Sequence, residues 1–264
     1  MKSVLLTGIN GTVAQVMKKE LDQTYDLSGI SIVRMDEVLA AAQSSSWQEQ
    51  LDAYRDRVME QLTTACKGVD AVVHLGWNTR DENWQGGLDP LNIVVVDCVY
   101  RVAIAEGIPR TYMASSVHSY DFMGKGYDPE VPIPPFPDTR QDSFGVPPTS
   151  LYGVSKRWME IAGQFYAKQL AEGQKILAVR LGAVGPEERP RRAGVLWASH
   201  RDCAGLLAAF IECEDVPNFY IAYGVSDNCG EERATPLFDS VNPYGFTPAD
   251  NAYDQADPTG DSGP

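Results

Sequence analysis

Short apolar runs alternate with longer amphipathic stretches over residues 1–182 of the chain. The apolar runs have the length of buried strands and are SVLLT (3–7), DAVVHLGW (70–77), RTYMASS (110–116) and KILAVRLG (175–182). The helix-length stretches are a segment that ends near Asp22 and residues 55–68, 90–107 and 152–172. Strands that alternate with helices in this way predict an α/β fold of the Rossmann type, in which helices cover both faces of a doubly wound parallel sheet.

A glycine-containing turn, TGINGTVA (7–14), joins the first strand to the first helix. Gly8 permits the tight turn, and Gly11 lets backbone N–H groups approach a pyrophosphate at the helix N-terminus. Ala14 is small enough for a close contact between helix and strand. Because the turn stands at a junction of strand and helix, it predicts a dinucleotide site for NAD or NADP.

The segment after the second strand leaves the choice between NAD and NADP open. In TYDLSGISIVRMD (24–36), Ser31 and Arg34 can accept the 2′-phosphate of NADP. Asp36 can instead bind the ribose hydroxyls of NAD if the strand runs further. The sequence supports both interpretations, NADP and NAD.

Tyr152 and Lys156 lie four positions apart in SLYGVSKRWME (150–160), so their side chains share one face of a helix. An ammonium about 4 Å from a phenol, at an effective dielectric of about 20, favours the phenolate by roughly 4 kcal/mol, or about three pKa units. The pair therefore predicts a tyrosine of lowered pKa that acts as a base. Ser115 and Ser116 end a strand at the edge where ligands bind, and a serine hydroxyl there can hydrogen-bond the oxygen that loses its proton.

The composition excludes several classes of partner. A formal net charge of −14 argues against nucleic acid and anionic membrane, but does not distinguish an ordinary acidic enzyme from a protein of concentrated salt. The sequence contains no apolar run of about 18 residues, so no membrane span is predicted, and we expect no signal peptide. The five scattered cysteines form no metal-binding spacing, so we expect no metal site and a reducing, cytoplasmic setting.

The chain divides into three predicted parts. Residues 1–182 form the dinucleotide-binding domain, and residues 183–250 form a small substrate-binding lobe with parts that return to the sheet. Residues 251–264 are an acidic tail whose composition is typical of disorder. Within the first part, residues 121–149 form a long loop rich in proline and glycine, which suggests a lid, a binding loop or a disordered insertion.

These motifs together resemble the extended short-chain dehydrogenase/reductase family, the group of NAD-dependent epimerases and dehydratases. The matching pieces come in the family's order over residues 1–190 and are TGINGTVA, DAVVHLGW, the Asn92 helix, ASSVH, LYGVSK and VRLGAVGP. The resemblance implies that Tyr152 is the general base, that Lys156 activates it and binds the cofactor ribose, and that Ser116 polarises the substrate. The implied cofactor contacts are Gly8, Asn10, Gly11, Thr12, Val13, Leu75, Gly76, Trp77 and Asn92, besides Ser31, Arg34, Tyr152 and Lys156.

Within that family the chain is most similar to sugar C1 dehydrogenases, such as uronate dehydrogenases and haloarchaeal NAD-dependent glucose-6-phosphate dehydrogenases. The stretches SSVH, LYGVSK, LWASHRDC and YGVSDN carry this likeness. It implies substrate contacts at Thr79, Ser116, Val117, His118 and Arg192, and Arg189 and Arg191 can also hold a carboxylate or phosphate. His74, inside an apolar strand, is expected to be a core residue. Val117 and Ala183 replace an asparagine and a polar residue that are common in the subgroup.

The predicted function is oxidation of C1 of a sugar, uronic acid or sugar phosphate to the lactone, with NAD or NADP as cofactor. One alternative is a nucleotide-sugar epimerase or dehydratase that uses the same three side chains. Another is a non-catalytic protein that senses NAD(P) on the same fold. The partner in the first case is a small sugar or sugar acid, and the resemblance implies that the chain can form a homo-oligomer.

Overall fold

The six strands in the described part of the chain run parallel in a single sheet. The computed structural model describes residues 1–34, 46–77, 90–120, 132–134, 147–190, 192–231 and 233–256. Its strands are β1 (Ser3–Thr7), β2 (Asp26–Ile30), β3 (Ala71–His74), β4 (Arg110–Ser116), β5 (Lys175–Leu181) and β6 (Phe219–Gly224). They pair in the order β2-β1-β3-β4-β5-β6. The Rossmann-type α/β fold expected from the sequence is confirmed.

Helices cover both faces of this sheet. They are α1 (Thr12–Leu21), α2 (Trp47–Ala65), α3 (Pro90–Ala105), α4 (Leu151–Tyr166), α5 (His200–Glu212) and α6 (Ala252–Gln255). Side chains of α1 and α5 share one apolar cluster with the sheet. Those of α2, α3 and α4 share a second cluster on the opposite face.

Two helix boundaries differ from the sequence pattern. α2 begins at Trp47, well before the predicted residue 55, because Ser46 and Glu49 form a capping box. α4 ends at Tyr166, and the chain continues as a short 3-10 turn, Ala167–Gln169, where the sequence suggested helix to residue 172. Neither difference moves the residues predicted to carry the chemistry.

The segment after β5 contributes to the main sheet and to its helical cover. β6 pairs along β5, and α5 packs on the same face as α1. A third apolar cluster joins this segment to the end of β4 through Val117, Tyr223 and Phe238. Asn251 caps α6, so residues 252–255 of the predicted acidic tail form a short helix, while residues 257–264 lie outside the described part.

The strand order places a crevice between β1 and β3. The chain connection from β1 leads to β2 on one side, and the connection from β3 leads to β4 on the other. Ligands of open α/β sheets bind at such a point, outside the carboxyl ends of the strands. Of the predicted loop 121–149, only residues 132–134 and 147–149 are described. Among the described helices, none has the length and apolar character needed to cross a bilayer.

Candidate functional site

The turn after β1 is shaped by a close approach of two glycines across the crevice. Gly8 has a φ of +69°, which favours glycine, and a Cβ there would lie 2.6 Å from the Cα of Gly76. Gly76 follows β3, so the two backbones meet where the sheet connections diverge. This cradle has no room for a side chain, which fits the close backbone approach that a pyrophosphate requires.

The first helix presents its N-terminus to the same crevice. Gly11 is the N-cap of α1, donates its N–H to Gly8 O at 2.9 Å and, within the described residues, brings no side-chain cap. The first-turn N–H groups of Thr12 and Val13 are therefore oriented toward the carboxyl edge of the sheet, where a helix terminus attracts phosphate. The residues present fit a dinucleotide cofactor.

The residues predicted to select the cofactor follow β2. The Asn10 amide donates to Ser31 Oγ at 2.9 Å, which ties the glycine turn to the end of that strand. Ser31, Arg34 and Arg57 line one cleft of about 660 Å³. Asp36 lies outside the described residues.

Tyr152 lies in the first turn of α4, close to the end of β4. Ser150 caps this helix, accepting from the N–H of Gly153 at 3.1 Å. The Ser116 side chain hydrogen-bonds that of Tyr152, and the ring of His118 lies 6.3 Å from the tyrosine ring. The structure therefore brings together three of the residues that the sequence assigned to catalysis and substrate binding.

Lys156 is buried one helical turn further along α4. Its Nζ donates to the carbonyl of Ala114 at 2.6 Å and lies 3.7 Å from the centre of the Trp77 ring. The distance from Nζ to the centre of the Tyr152 ring is 5.6 Å. The ammonium thus lies between the tyrosine and the residues that follow β3.

The electrostatics of this pair differ from the expectation. Burial raises the pKa of Tyr152, and the hydrogen bond from Ser116 opposes that effect. Burial also holds the pKa of Lys156 well below its usual value. The predicted acidic tyrosine is therefore corrected: both groups lose hydration, which disfavours the phenolate and the ammonium alike, and the ammonium is directed to Ala114.

Other predicted residues separate into those near this site and those away from it. Leu75, Gly76 and Trp77 are half-buried after β3, and Asn92 is buried on α3. The Val117 side chain packs in the third apolar cluster, so its side chain is not presented to a ligand. Arg189 and Arg192 are exposed in the segment after β5, and Thr79 and Arg191 lie outside the described residues.

His74 is a core residue, as the sequence suggested. Its Nδ1 is hydrogen-bonded with Thr7 Oγ1 at 2.8 Å, which joins β3 to β1 below the glycine cradle. Burial lowers its pKa to about 3, and the nearby Lys156 charge acts in the same direction. The ring is therefore neutral and structural at neutral pH.

A buried ion pair next to the site was not predicted from the sequence. Glu160 on α4 and Arg180 on β5 pair at 2.9 Å, and the carboxylate also accepts from Ser115 and Ser119. The available signals were an arginine inside the apolar run of β5 and a glutamate four residues after Lys156. A charged residue at an apolar position is buried only when it is paired, so the two signals point to each other.

Comparison with known proteins places this architecture among nucleotide-dependent enzymes. Residues 4–200 match the sequence model of the NAD dependent epimerase/dehydratase family. The NAD-dependent glucose-6-phosphate dehydrogenase of Haloferax volcanii is 28% identical over 258 residues, which is 94% of each chain. The uronate dehydrogenase of Pseudomonas putida is 27% identical over 85% of this chain and 76% of its own length.

A solved structure shares the fold. The glucuronic acid dehydrogenase from Chromohalobacter salexigens superimposes with a TM-score of 0.67 at 23% identity. The likeness covers 95% of this chain and 85% of that one. The likeness therefore includes the segment that follows β5 as well as the strands before it.

Proposed function

Because the chain belongs to the NAD-dependent epimerase/dehydratase family, we propose that it oxidises C1 of a sugar, uronic acid or sugar phosphate to the lactone with NAD(P). Relatives named glucose-6-phosphate dehydrogenase and uronate dehydrogenase support this reaction class. The observation that carries the proposal is the hydrogen bond between Ser116 and Tyr152, one helical turn from Lys156. It lies at the same sheet edge as the glycine cradle.

In the proposed reaction Tyr152 takes the proton of the C1 hydroxyl, and Ser116 orients the oxygen that loses it. The bound cofactor supplies the hydride acceptor. Lys156 holds a ribose hydroxyl. Its charge favours the Tyr152 phenolate once Lys156 and Tyr152 are in contact with the same ligand. The hydrogen bond from Ser116 favours that phenolate against the effect of burial.

The substrate end of the site is proposed to recognise polar and anionic groups. The His118 Nδ1 is hydrogen-bonded with Thr149 Oγ1 at 2.8 Å, which fixes the ring beside Tyr152. In the proposal this side chain contacts a sugar hydroxyl. Arg192 follows β5, whose carboxyl end lies beside that of β4, and its guanidinium suits a carboxylate or phosphate.

For the cofactor, we propose that the site accepts NADP as well as NAD. Ser31 stands directly after β2 and offers a hydroxyl in place of a carboxylate, and Arg34 contributes positive charge to the same cleft, where Arg57 is paired with Glu60. We expect Arg34→Ala to raise the KM for NADP about tenfold and to leave the KM for NAD unchanged, because a hydrogen bond to a charged group is worth about 1.5 kcal/mol, or about a factor of ten. Equal effects on both cofactors contradict this proposal.

A spectrophotometric screen tests the reaction itself. Uronates, aldoses and hexose 6-phosphates are offered with NAD and with NADP, and formation of the reduced nicotinamide is followed. For an active pair, Tyr152→Phe should lower kcat by about 10²–10⁴-fold, the usual contribution of positioned acid–base catalysis, with cofactor affinity retained. Full activity of that variant rejects the proposed base.

The same screen distinguishes the two alternatives. Conversion of a nucleotide sugar without net reduction of the cofactor indicates an epimerase or dehydratase. Cofactor binding without turnover of any sugar in the panel indicates a sensing protein. Accumulation of reduced cofactor with a free sugar supports the dehydrogenase.

We also propose that α4 mediates association with a second copy of the chain. Apolar side chains recur along it at intervals of three and four residues, the spacing of a helix–helix seam. They are Leu151, Val154, Trp158, Ile161 and Phe165, of which Ile161 and Phe165 are 48% and 59% exposed. A patch of one helix can pair with itself across a twofold axis, so a dimer is the simplest assembly.

A further inference from the structure

A buried ion pair lies behind the proposed catalytic side chains, and the proposed reaction makes no use of it. Arg180 and Glu160 are 1% and 2% exposed. The guanidinium donates from Nε to Oε1 at 3.0 Å and from Nη2 to Oε2 at 2.9 Å, a two-point contact that fixes the plane of the carboxylate. The rings of Tyr120 and Tyr223 flank the guanidinium at 5.4 Å and 5.7 Å. The carboxylate therefore has one defined position.

Two serine hydroxyls complete the contacts of this carboxylate. Ser115 donates to Oε1 at 2.5 Å and Ser119 donates to the same oxygen at 2.9 Å. The two serines stand on either side of Ser116, at the end of β4 and in the short turn that follows it. Glu160 thus holds the backbone before and after Ser116.

Glu160 is also placed relative to the other two residues. Lys156 precedes it by four positions on α4 and Tyr152 by eight, so all three project from one face of the helix. The charged and titratable groups around the Lys156 ammonium are Tyr152 and Glu160 from α4 and His74 from β3, with Arg180 on β5 beyond Glu160. Of these, the Glu160 carboxylate raises the pKa of Lys156 against the effect of burial.

We infer that Glu160 is a positioning residue for the proposed reaction. Through Arg180, Ser115 and Ser119 it fixes the strand end that carries Ser116 against the helix that carries Tyr152 and Lys156. Its negative charge is also a counter-charge that favours the protonated form of the buried lysine against the effect of burial. The inference rests on the proposed function of these three residues.

Glu160→Gln in the full chain tests the inference, because it retains the shape and removes the charge. We expect kcat to fall about 100-fold, the effect of roughly 1 Å of misplacement in a catalytic set. We expect the alkaline limb of kcat/KM against pH to move to lower pH, because the ammonium loses its counter-charge. Glu172→Gln, the same change on an exposed turn, should leave both unchanged.

A second readout needs neither cofactor nor turnover. The side-chain nitrogen of Lys156 is titrated by NMR and assigned with Lys156→Met. In Glu160→Gln it should lose its proton at lower pH than in the wild type. A purely structural role would lower the melting temperature and scale kcat equally at every pH, with the titration unmoved, and that result overturns the inference.

A double variant covers the case in which Glu160→Gln does not fold. Glu160→Gln with Arg180→Met removes both charges, a change that buried pairs often tolerate. The titration of Lys156 should move to lower pH by less than in Glu160→Gln, because the Arg180 charge, which lies beyond Glu160, is lost as well. Failure of both variants to fold assigns the pair to stability and overturns the inference. Tyr152→Phe separates the two proposals: if it is active, the proposed function fails, whereas an inactive Tyr152→Phe with an unshifted Glu160→Gln rejects only the role of Glu160.

Discussion

The carbonyl oxygen of His118 lies 2.0 Å from the place where a Cβ on Gly153 would stand. α4 therefore begins in direct contact with the backbone of the turn after β4. This contact brings Tyr152, the residue before Gly153, beside Ser116. The absence of a side chain at residue 153 is what makes the proposed catalytic geometry accessible.

Replacing this glycine should damage both stability and activity. In Gly153→Ala the methyl group meets a main-chain oxygen that has little freedom to move, so we expect destabilisation of about 1–3 kcal/mol or more, as for overpacked sites. The displaced helix start should also lower kcat strongly. Thermal unfolding and steady-state kinetics measure the two effects, with Gly194→Ala, which has nothing within 4 Å of the added Cβ, as the control. A Gly153→Ala protein with wild-type kcat would show that the contact does not position Tyr152.

The glycine cradle predicts a loss of cofactor binding in Gly8→Ala. Gly8 and Gly107 both have a φ of +69°, but only Gly8 has a neighbour, Gly76, within contact of an added Cβ. Both substitutions carry the strain of a left-handed residue, about 1–2 kcal/mol. Only Gly8→Ala should also lose affinity for NAD(P), measured by calorimetry. Equal cofactor affinity in the two variants would contradict the assignment of this turn.

His74 predicts a loss of stability in mild acid. Its pKa is about 3 in the folded chain and near 6.5 when unfolded, so below pH 6.5 the unfolded chain binds a proton that the folded chain does not. The stability contributed by this group is present above about pH 6.5 and is lost as the pH falls toward 3. Between pH 6.5 and pH 5 the loss is about 2 kcal/mol.

The variant His74→Asn isolates this contribution from the titration of the many carboxylates. Asparagine can keep a hydrogen bond to Thr7 and does not titrate. Urea unfolding at several pH values should show a steeper acid loss in the wild type than in the variant. Parallel curves would mean that His74 is protonated in the folded chain.

Association through α4 predicts a change of mass in Ile161→Lys/Phe165→Lys. Two charges on the proposed seam should convert a dimer to a monomer, because burying an unpaired ammonium is costly. Light scattering during size-exclusion chromatography measures the mass. Val241→Lys, at a residue that is 67% exposed away from this helix, is the matched control and should leave the mass unchanged. A wild-type monomer at all concentrations rules out the proposed interface.

The parts of the fold that could be predicted are those in which periodicity and turn residues agree. The run SVLLT followed by Gly8 and Gly11 identified β1, the cradle and α1, because strand, turn and helix chemistry all point to the same arrangement. β6 and α5 were not predicted as separate elements within the segment after residue 182. FYIAYG is a short strand, and its first two residues are only half-buried. Its place in the sheet comes from pairing with β5.

The site was predictable in its residue types and wrong in its electrostatics. The spacing of Tyr152 and Lys156 placed both on one helical face, as found. It could not indicate that the ammonium would be buried against Ala114 and Trp77, since those residues come from β4 and from the segment that follows β3. Glu160 was overlooked for the same reason: its partner, Arg180, lies on a different element.

The pairing of β1 with β3 has a consequence for how the chain acquires its cofactor site. Thr7 and His74, which face each other in this pair, are 67 positions apart in the sequence. Their pairing requires closure of a loop of that length before any favourable contact forms. Such pairing is slow, as in other parallel sheets. We therefore expect the cradle to form late in refolding. Added NAD(P) should then slow the unfolding of the chain and leave its refolding rate unaltered.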